Sequence, residues 1–223
     1  LDRAFFQELQ HDVRERYKIE VLERRPDLVK QLETEKKVAR TISSALTSGA
    51  FPGMETGNPD LYKAFAWRFL NLLRQGGRLG VVVPRSLFSS KGSALWRKAS
   101  LLKSKTHIIV AKNEKEWIFS EVNPGYAICL FSLTLVGPEA AAINLSGTYH
   151  SEEEFTVGSL NPPIQIDLKV LQDHDSEDLC VPNLSTKIGA ELYELFITHP
   201  RLDSLREDFL LKPIQELNAT TEK

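Results

Sequence analysis

The sequence predicts an α/β fold, in which a helical hairpin precedes one half of an open, doubly wound sheet. Apolar residues recur at helical spacing in residues 1–48, and short apolar runs bounded by glycine and proline alternate with helical patterns in residues 60–135. The segment between these regions is dense in helix-breaking residues. Hydrophobic residues make up 42% of the 223 residues and charged residues 26%, a composition typical of globular proteins.

Residues 1–48 are predicted to form the helical hairpin. Apolar side chains recur every four residues from Leu1 to Val13, and helical spacing resumes after Pro26. Because proline does not fit inside a helix, we expect the break between the two helices at Pro26. Residues 49–59 contain three glycines and two prolines, which predicts a loop and the clearest internal boundary of the chain.

Residues 60–135 are predicted to form a compact α/β unit. Asp60 is a candidate N-cap for a helix over about residues 61–75. The predicted core-facing stripe of this helix consists of Leu61, Phe65, Phe69, Leu72 and Leu73. The run Leu79–Val83 predicts a strand that is covered on both faces, as in the middle of a parallel sheet. Residues 92–103 predict another helix, and 107–110 and 126–133 predict two further strands.

Residues 136–223 are predicted to form an acidic α+β extension. Residues 143–149 and 164–168 are candidate strands, and residues 187–198 are a candidate helix that stops before Pro200.

The charges are distributed unevenly, although the formal net charge is only −2. Residues 61–117 carry twelve Lys and Arg against two Glu, whereas residues 118–223 carry six basic and seventeen acidic side chains. Such a basic segment indicates a surface that faces a polyanion, and solvated helix faces are the alternative interpretation.

Several protein classes are excluded by composition and spacing. No run approaches 18 apolar residues and no signal peptide precedes the first helix, so a membrane span and secretion are not expected. Cys129 and Cys180 lack metal-ligand spacing, which argues against a zinc site or a disulfide framework and favours a reducing, cytoplasmic compartment. The chain starts without Met in the middle of a pattern, as expected for a part of a longer protein.

Two adjoining segments carry a family resemblance. Asn58-Pro59-Asp60-Leu61-Tyr62-Lys63-Ala64-Phe65 is followed by Leu72-Leu73-Arg74-Gln75-Gly76-Gly77-Arg78-Leu79-Gly80-Val81-Val82-Val83-Pro84. In their order and spacing these segments resemble the second half of the catalytic domain of adenine-N6 DNA methyltransferases, above all the large enzymes of type IIG restriction–modification and phage-defence systems. The resemblance covers about residues 58–133 and continues more weakly to the end.

The resemblance implies the last three strands of a Rossmann-like methyltransferase sheet, with the final strand antiparallel. Residues 1–48 would then be an insertion, and residues 136–223 would lead toward a target-recognition domain beyond Lys223. The implied partners are double-stranded DNA, the remainder of the methyltransferase and an attached or associated nuclease of the same system.

The implied cofactor is S-adenosylmethionine, and its candidate binding residues are Asp60, Leu61 and Phe65. Ligands of such sheets lie over the carboxyl ends of the strands, and the helix that starts after Asp60 would begin beside that crevice. The family residue that matches Phe65 packs against the adenine ring of the cofactor. The alternative is that Phe65 is a core residue, like Phe69.

Phe119 matches the family aromatic that stacks on the adenine extruded from the duplex, and it lies twelve residues before Phe131. Trp117 and Tyr126 are the other candidates for this role. A hydrophobic plug at the base of the loop is the alternative interpretation.

Arg85, Ser86 and Lys91 are the candidate contacts to DNA phosphates, because they follow a strand whose carboxyl end faces the site and because each can donate to phosphate oxygens. The cations of the next predicted helix, Arg97 among them, are expected on its outer face.

The residues that would carry the transfer chemistry are missing from the sequence. The family's catalytic loop has the form D/N/S-P-P-Y/F/W, and neither this loop nor a glycine-rich cofactor loop occurs before Asn58. Asn161-Pro162-Pro163 lacks the following aromatic and comes after the last predicted sheet strand. We therefore expect a fragment of an adenine-N6 DNA methyltransferase that is inactive alone, with no catalytic residue and no metal site. A non-catalytic module that binds DNA or a partner subunit is the alternative.

Overall fold

The structure is a computed structural model that describes residues 10–56, 59–175 and 177–199. The described residues separate into two compact units, one ending at Phe51 and the other beginning at Pro52. The boundary lies inside the predicted loop.

The first unit consists of two helices, α1 (His11–Arg24) and α2 (Pro26–Thr47). Pro26 is the first residue of α2, where its fixed φ angle suits a helix and where no intrahelical partner needs its missing N–H. The predicted break at Pro26 is therefore confirmed, whereas Leu1, Phe5 and Leu9 of the predicted pattern lie outside the described residues. None of the described residues of α1 and α2 is buried.

The second unit is built on a five-stranded open sheet. Its strands are β1 (Arg78–Pro84), β2 (Ser104–Lys112), β3 (Ala127–Leu135), β4 (Ala142–Tyr149) and β5 (Ile164–Ile166). They lie in the order β1-β3-β2-β4-β5. β3 runs antiparallel to both of its neighbours, β4 is parallel to β2, and β5 is antiparallel to β4.

This topology confirms the predicted fold class. β3, the third strand of the predicted half-sheet, is the antiparallel one, and it is inserted between β1 and β2. The two candidate strands of the acidic extension also form, and they continue the same sheet beyond β2.

Five helices accompany the strands in the described residues of this unit. They are α3 (Leu61–Leu72), α4 (Ala94–Leu101), α5 (Glu152–Gly158), α6 (Leu168–His174) and α7 (Lys187–Ile197). Side-chain hydroxyl or carboxylate oxygens cap three of them, α5 through Ser151, α6 through Asp167 and α7 through Thr186. The predicted helix over 187–198 is thus confirmed.

The core is centred on three aromatic rings that meet edge to face. Phe88, Trp96 and Phe131 have ring centroids 5.4 to 6.0 Å apart, and each is at most 4% exposed. Edge-to-face contacts of this kind add to the stability gained from burial alone. Because Phe88 precedes α4, Trp96 lies on it and Phe131 lies on β3, the cluster fixes α4 against the middle of the sheet.

The prediction for the buried stripe of α3 was wrong. The helix buries Lys63, Ala64, Ala66 and Leu70, whereas Leu61, Phe65 and Leu72 are exposed. Apolar residues occupy most positions of this helix, so their spacing did not distinguish one stripe from the other. The helix also ends at Leu72 rather than near residue 75.

The prediction that β1 is covered on both faces was also wrong. Val83 is 5% exposed, whereas its neighbour Val82 is 50% exposed. β1 forms the end of the sheet that the structure describes and pairs with the antiparallel β3, so it has one sheltered and one accessible face. A purely apolar run cannot reveal such an alternation.

Candidate functional site

The candidate site lies at the sheet edge where β1 and β2 end, at Pro84 and Lys112, and where β3 begins. The residues predicted for cofactor and phosphate come from two segments near this edge. The phenol oxygen of Tyr62, in the first turn of α3, lies 2.7 Å from the hydroxyl oxygen of Ser86 in the loop after β1. This hydrogen bond brings the predicted cofactor segment and the predicted phosphate loop together.

Asp60 occupies the N-cap position of α3, but its side chain makes no capping hydrogen bond. The prediction that the Asp60 side chain caps this helix was therefore wrong. Asp60 is exposed, so its carboxylate is accessible to a ligand at the N-terminal end of the helix.

Phe65 is 54% exposed, and Leu61, one turn earlier, is 57% exposed. The ring of Phe65 stacks on that of Phe69, with centroids 5.9 Å apart and planes inclined by 25°. Phe65 is therefore not part of the core of the described residues. Its contact with a cofactor ring stays a prediction.

Phe119 lies in the loop of residues 113–126 that joins β2 to β3, and it is 43% exposed. It lines an open apolar cavity of about 330 Å³. The other lining residues are Val82, Val83, Pro84, Val122, Tyr126, Ala127 and Ile128. The volume lies at the lower end of the range of roughly 300–1,000 Å³ that is usual for small-molecule sites. In the described part of the chain, Leu61 and Phe65 do not line this cavity, so the cofactor and stacking candidates do not share one pocket.

The two other stacking candidates differ from each other. The indole nitrogen of Trp117 donates to the carbonyl oxygen of Lys112 at 2.7 Å, and its ring packs against Phe155 at 6.3 Å. Trp117 thus holds the loop to β2 and to α5. Tyr126 is 62% exposed and lines the same cavity as Phe119.

The three predicted phosphate contacts have different surroundings. Lys91 is exposed, and the Ser86 hydroxyl is engaged with Tyr62. The guanidinium of Arg85 donates to the carbonyl oxygen of Val181, and its Nη1 is buried with no hydrogen-bond partner among the described residues. Burial lowers the pKa of Arg85. Of the three side chains, Lys91 is therefore the most accessible to an incoming phosphate.

Arg97 is the main residue that the sequence interpretation misplaced. It was expected on the outer face of its helix, but it is fully buried. Its Nε and Nη2 donate to the carbonyl oxygen of Asp178 at 2.9 and 2.6 Å, and Nη1 donates to the carbonyl oxygens of Leu87 and Ser90 at 3.0 and 2.8 Å. Burial lowers the pKa of this guanidinium.

A signal for the burial of Arg97 was present in the sequence. Ala94, Arg97 and Leu101 follow each other at spacings of three and four, and all three are buried on α4. The position of Arg97 in this stripe, rather than its charge, indicates its environment. Through its bonds to Leu87 and Ser90, Arg97 fixes the loop that carries Arg85 and Ser86.

The structure also shows where the Asn161-Pro162-Pro163 segment lies and whether titratable groups cluster. Asn161, Pro162 and Pro163 are exposed between α5 and β5, at the opposite end of the sheet from β1. In residues 10–56, 59–175 and 177–199, no three His, Cys, Asp or Glu side chains form a group that could hold a metal ion. No helix in these ranges is both long and apolar enough to cross a membrane.

Comparison with known proteins gives a family match and similar solved structures. No curated protein matches the chain. A structure described as the cryoEM structure of a DrdV–DNA complex is similar at 14% identity, with a TM-score of 0.42, and the match covers 67% of this chain and 16% of that one. The chain thus spans about a sixth of that protein. Residues 31–119, which include α3, β1, α4 and β2, match the family described as the Eco57I restriction-modification methylase.

Proposed function

We propose that this chain is part of a DNA methyltransferase that transfers a methyl group from S-adenosylmethionine to N6 of adenine in a restriction or phage-defence system. The observation that carries the proposal is the match of residues 31–119 to a restriction-modification methylase family. The matched region contains Phe65 and Lys91 and ends at Phe119. It also contains the whole basic segment of residues 61–117, which suits a DNA partner.

The residues at the start of α3 suit the cofactor. Leu61 and Phe65 present exposed apolar surface on the same side of the helix, one turn apart, and a flat adenine ring gains by covering such surface. The accessible carboxylate of Asp60 can accept hydrogen bonds from hydroxyl or amino groups. S-adenosylmethionine supplies the methyl group when bound, and the part assigned to these side chains is to bind and orient it.

The role assigned to Phe119 is to stack on the target adenine. An enzyme that modifies the amino group of a base must take that base out of the duplex, because the reacting atom is inaccessible in the stack. The half-exposed ring of Phe119 and the apolar cavity beside it provide a surface on which an extruded base can stack. Such stacking is worth roughly 1–3 kcal/mol per base.

The experiment that tests this proposal is a calorimetric titration of the intact protein with S-adenosylmethionine, comparing wild type with Phe65→Ala. Loss of an aromatic side chain that covers the cofactor should weaken binding by about 1–3 kcal/mol, or roughly 5- to 150-fold. Leu72→Ala is the matched control, because Leu72 is also exposed on α3 but lies at its far end.

A wild-type protein that binds no S-adenosylmethionine would contradict the methyltransferase proposal. The basic segment would then be interpreted as part of the binding face of a non-catalytic module. Equal affinities of wild type and Phe65→Ala would contradict the role of Phe65 alone.

A further inference from the structure

We propose that Asn113 is a positioning residue that holds Phe119 in place for stacking on the target base. This inference rests on the proposed function and adds to it a residue that the family resemblance did not indicate. It depends on the hydrogen bonds of one buried side chain.

The loop of residues 113–126 has little regular structure of its own. A short 3-10 turn at Glu114–Glu116 follows β2, and Lys115 and Glu116 have φ angles of 57° and 61°. Residues other than glycine rarely adopt this left-handed backbone conformation, because it costs them free energy. The loop therefore needs interactions from outside its own backbone to keep one conformation.

The side chain of Asn113, the first residue of the loop, provides these interactions. This residue directly follows β2 and is 0% exposed. Its Nδ2 donates to the carbonyl oxygens of Phe119 at 2.8 Å and of Val122 at 2.7 Å. Its Oδ1 accepts from the backbone N–H groups of Ile118 at 3.1 Å and of Phe119 at 3.0 Å.

The hydrogen-bonding capacity of this side chain is fully used. An asparagine amide has two N–H donors and one oxygen with two lone pairs, so four hydrogen bonds are its maximum. Both backbone polar groups of Phe119 bond to this one side chain. The backbone N–H of Asn113 donates to the carbonyl oxygen of Tyr126 at 3.1 Å and thereby closes the base of the loop.

The consequence is a fixed backbone beneath a ring that remains accessible. Phe119 is 43% exposed, so packing alone does not hold it. Asparagine fits the arrangement better than its closest relatives. Aspartate would place acceptor oxygens against the two carbonyl groups, and glutamine is one methylene longer in a fully buried position.

The test uses the intact protein and two substitutions at this position. Asn113→Ala removes all four hydrogen bonds. Asn113→Asp keeps the shape of the side chain and the two accepted bonds but replaces the two donated bonds by repulsion from the carbonyl oxygens, so the two variants disturb the frame in different ways. Asn123→Ala is the matched control. Asn123 lies in the same loop, but it is exposed and its side-chain oxygen accepts from the N–H of Gly125 at 2.8 Å.

The first measurement is amide hydrogen exchange at Ile118 and Phe119, which needs no DNA. We expect exchange at least tenfold faster in Asn113→Ala than in wild type and unchanged exchange in Asn123→Ala. Asn113→Asp keeps an oxygen that accepts from these two N–H groups, so its exchange should rise less than that of Asn113→Ala. Exchange at the wild-type rate in Asn113→Ala would overturn the inference, since the hydrogen-bonded frame would then not depend on Asn113.

The second measurement is the fluorescence of 2-aminopurine, placed in a duplex at the adenine that the wild-type protein methylates. We expect the fluorescence rise on binding to fall at least tenfold in the Asn113 variants, and kcat for methylation of the duplex with adenine at the target to fall as much. The affinity for S-adenosylmethionine should change less than twofold. Equal losses of base extrusion and cofactor affinity would indicate general destabilisation and would overturn a positioning role.

A double variant separates action through Phe119 from an independent effect. If Asn113 acts through Phe119, Asn113→Asp should add less than a twofold loss to Phe119→Ala. Additive losses would overturn the inference. A wild-type protein that methylates no DNA and extrudes no base would instead overturn the proposed function, and this role with it.

Discussion

Replacing Arg97 by methionine should destabilise the second unit strongly, although the substitution keeps most of the apolar stem. The guanidinium donates four hydrogen bonds to three carbonyl oxygens, those of Leu87, Ser90 and Asp178. Each buried acceptor left without a partner costs about 1–3 kcal/mol. Removing the buried cation also removes its own desolvation cost, which offsets part of this loss, so we expect a net loss of about 3–5 kcal/mol, at the lower end of what three unpaired acceptors would cost.

Urea unfolding of the chain, followed by tryptophan fluorescence, measures this loss. Trp96 is adjacent to Arg97 and reports on the core directly. The expected loss is a large part of a typical stability of about 5–15 kcal/mol, so the midpoint should fall clearly. Lys98→Met is the matched control on the same helix, and we expect it to lose less than about 1 kcal/mol. Equal losses in the two variants would refute the assignment of Arg97 as the buried link between α4 and two loops.

Three further predictions concern the same unit. Tyr62→Phe should cost about 0.5–1.5 kcal/mol, and a double-mutant cycle with Ser86→Ala should recover that value as coupling energy; zero coupling would contradict their 2.7 Å hydrogen bond. Gly92→Ala should cost about 1–3 kcal/mol in urea unfolding, since its Cβ would overlap the backbone oxygen of Thr56. Gly80→Ala, whose Cβ meets no atom within 4 Å, should cost less, and the reverse order would contradict the packing. Burial lowers the pKa of His107 below its ordinary 6.5, so the unfolded chain binds more protons than the folded one. The free energy of unfolding should therefore fall as pH drops below 6.5. His107→Gln should reduce that fall, and a pH profile identical to that of wild type would refute the assignment to His107.

Much of the fold could be predicted because local chemistry and tertiary structure agree. Pro26 begins α2 and Pro84 ends β1, as backbone geometry imposes, and the apolar runs of residues 79–83, 107–110 and 126–133 form strands as expected. The errors arose in α3 and β1. Both are apolar on nearly every position, so the choice of buried face depends on neighbours that are distant in sequence.

The candidate site could be predicted only in part, and for a similar reason. Exposure of Phe65 and Phe119 agrees with their expected accessibility to ligands, although their roles are not tested by the structure. Arg85 and Arg97 have charges typical of a phosphate contact, yet both donate to backbone carbonyl groups of distant segments. No sequence pattern indicates the role of Asn113, because its four hydrogen bonds depend on the path of a loop that sequence periodicity does not describe.

The central claim is methyl transfer to DNA, and the most direct measurement uses S-adenosylmethionine labelled in its methyl group. The intact protein is incubated with this cofactor and DNA, and the labelled nucleoside is identified after digestion. The account predicts label on N6 of adenine in the wild-type reaction, with a strong loss of kcat but unchanged cofactor affinity in Phe119→Ala. DNA that carries no label after incubation with a folded, cofactor-binding wild-type protein would contradict the account.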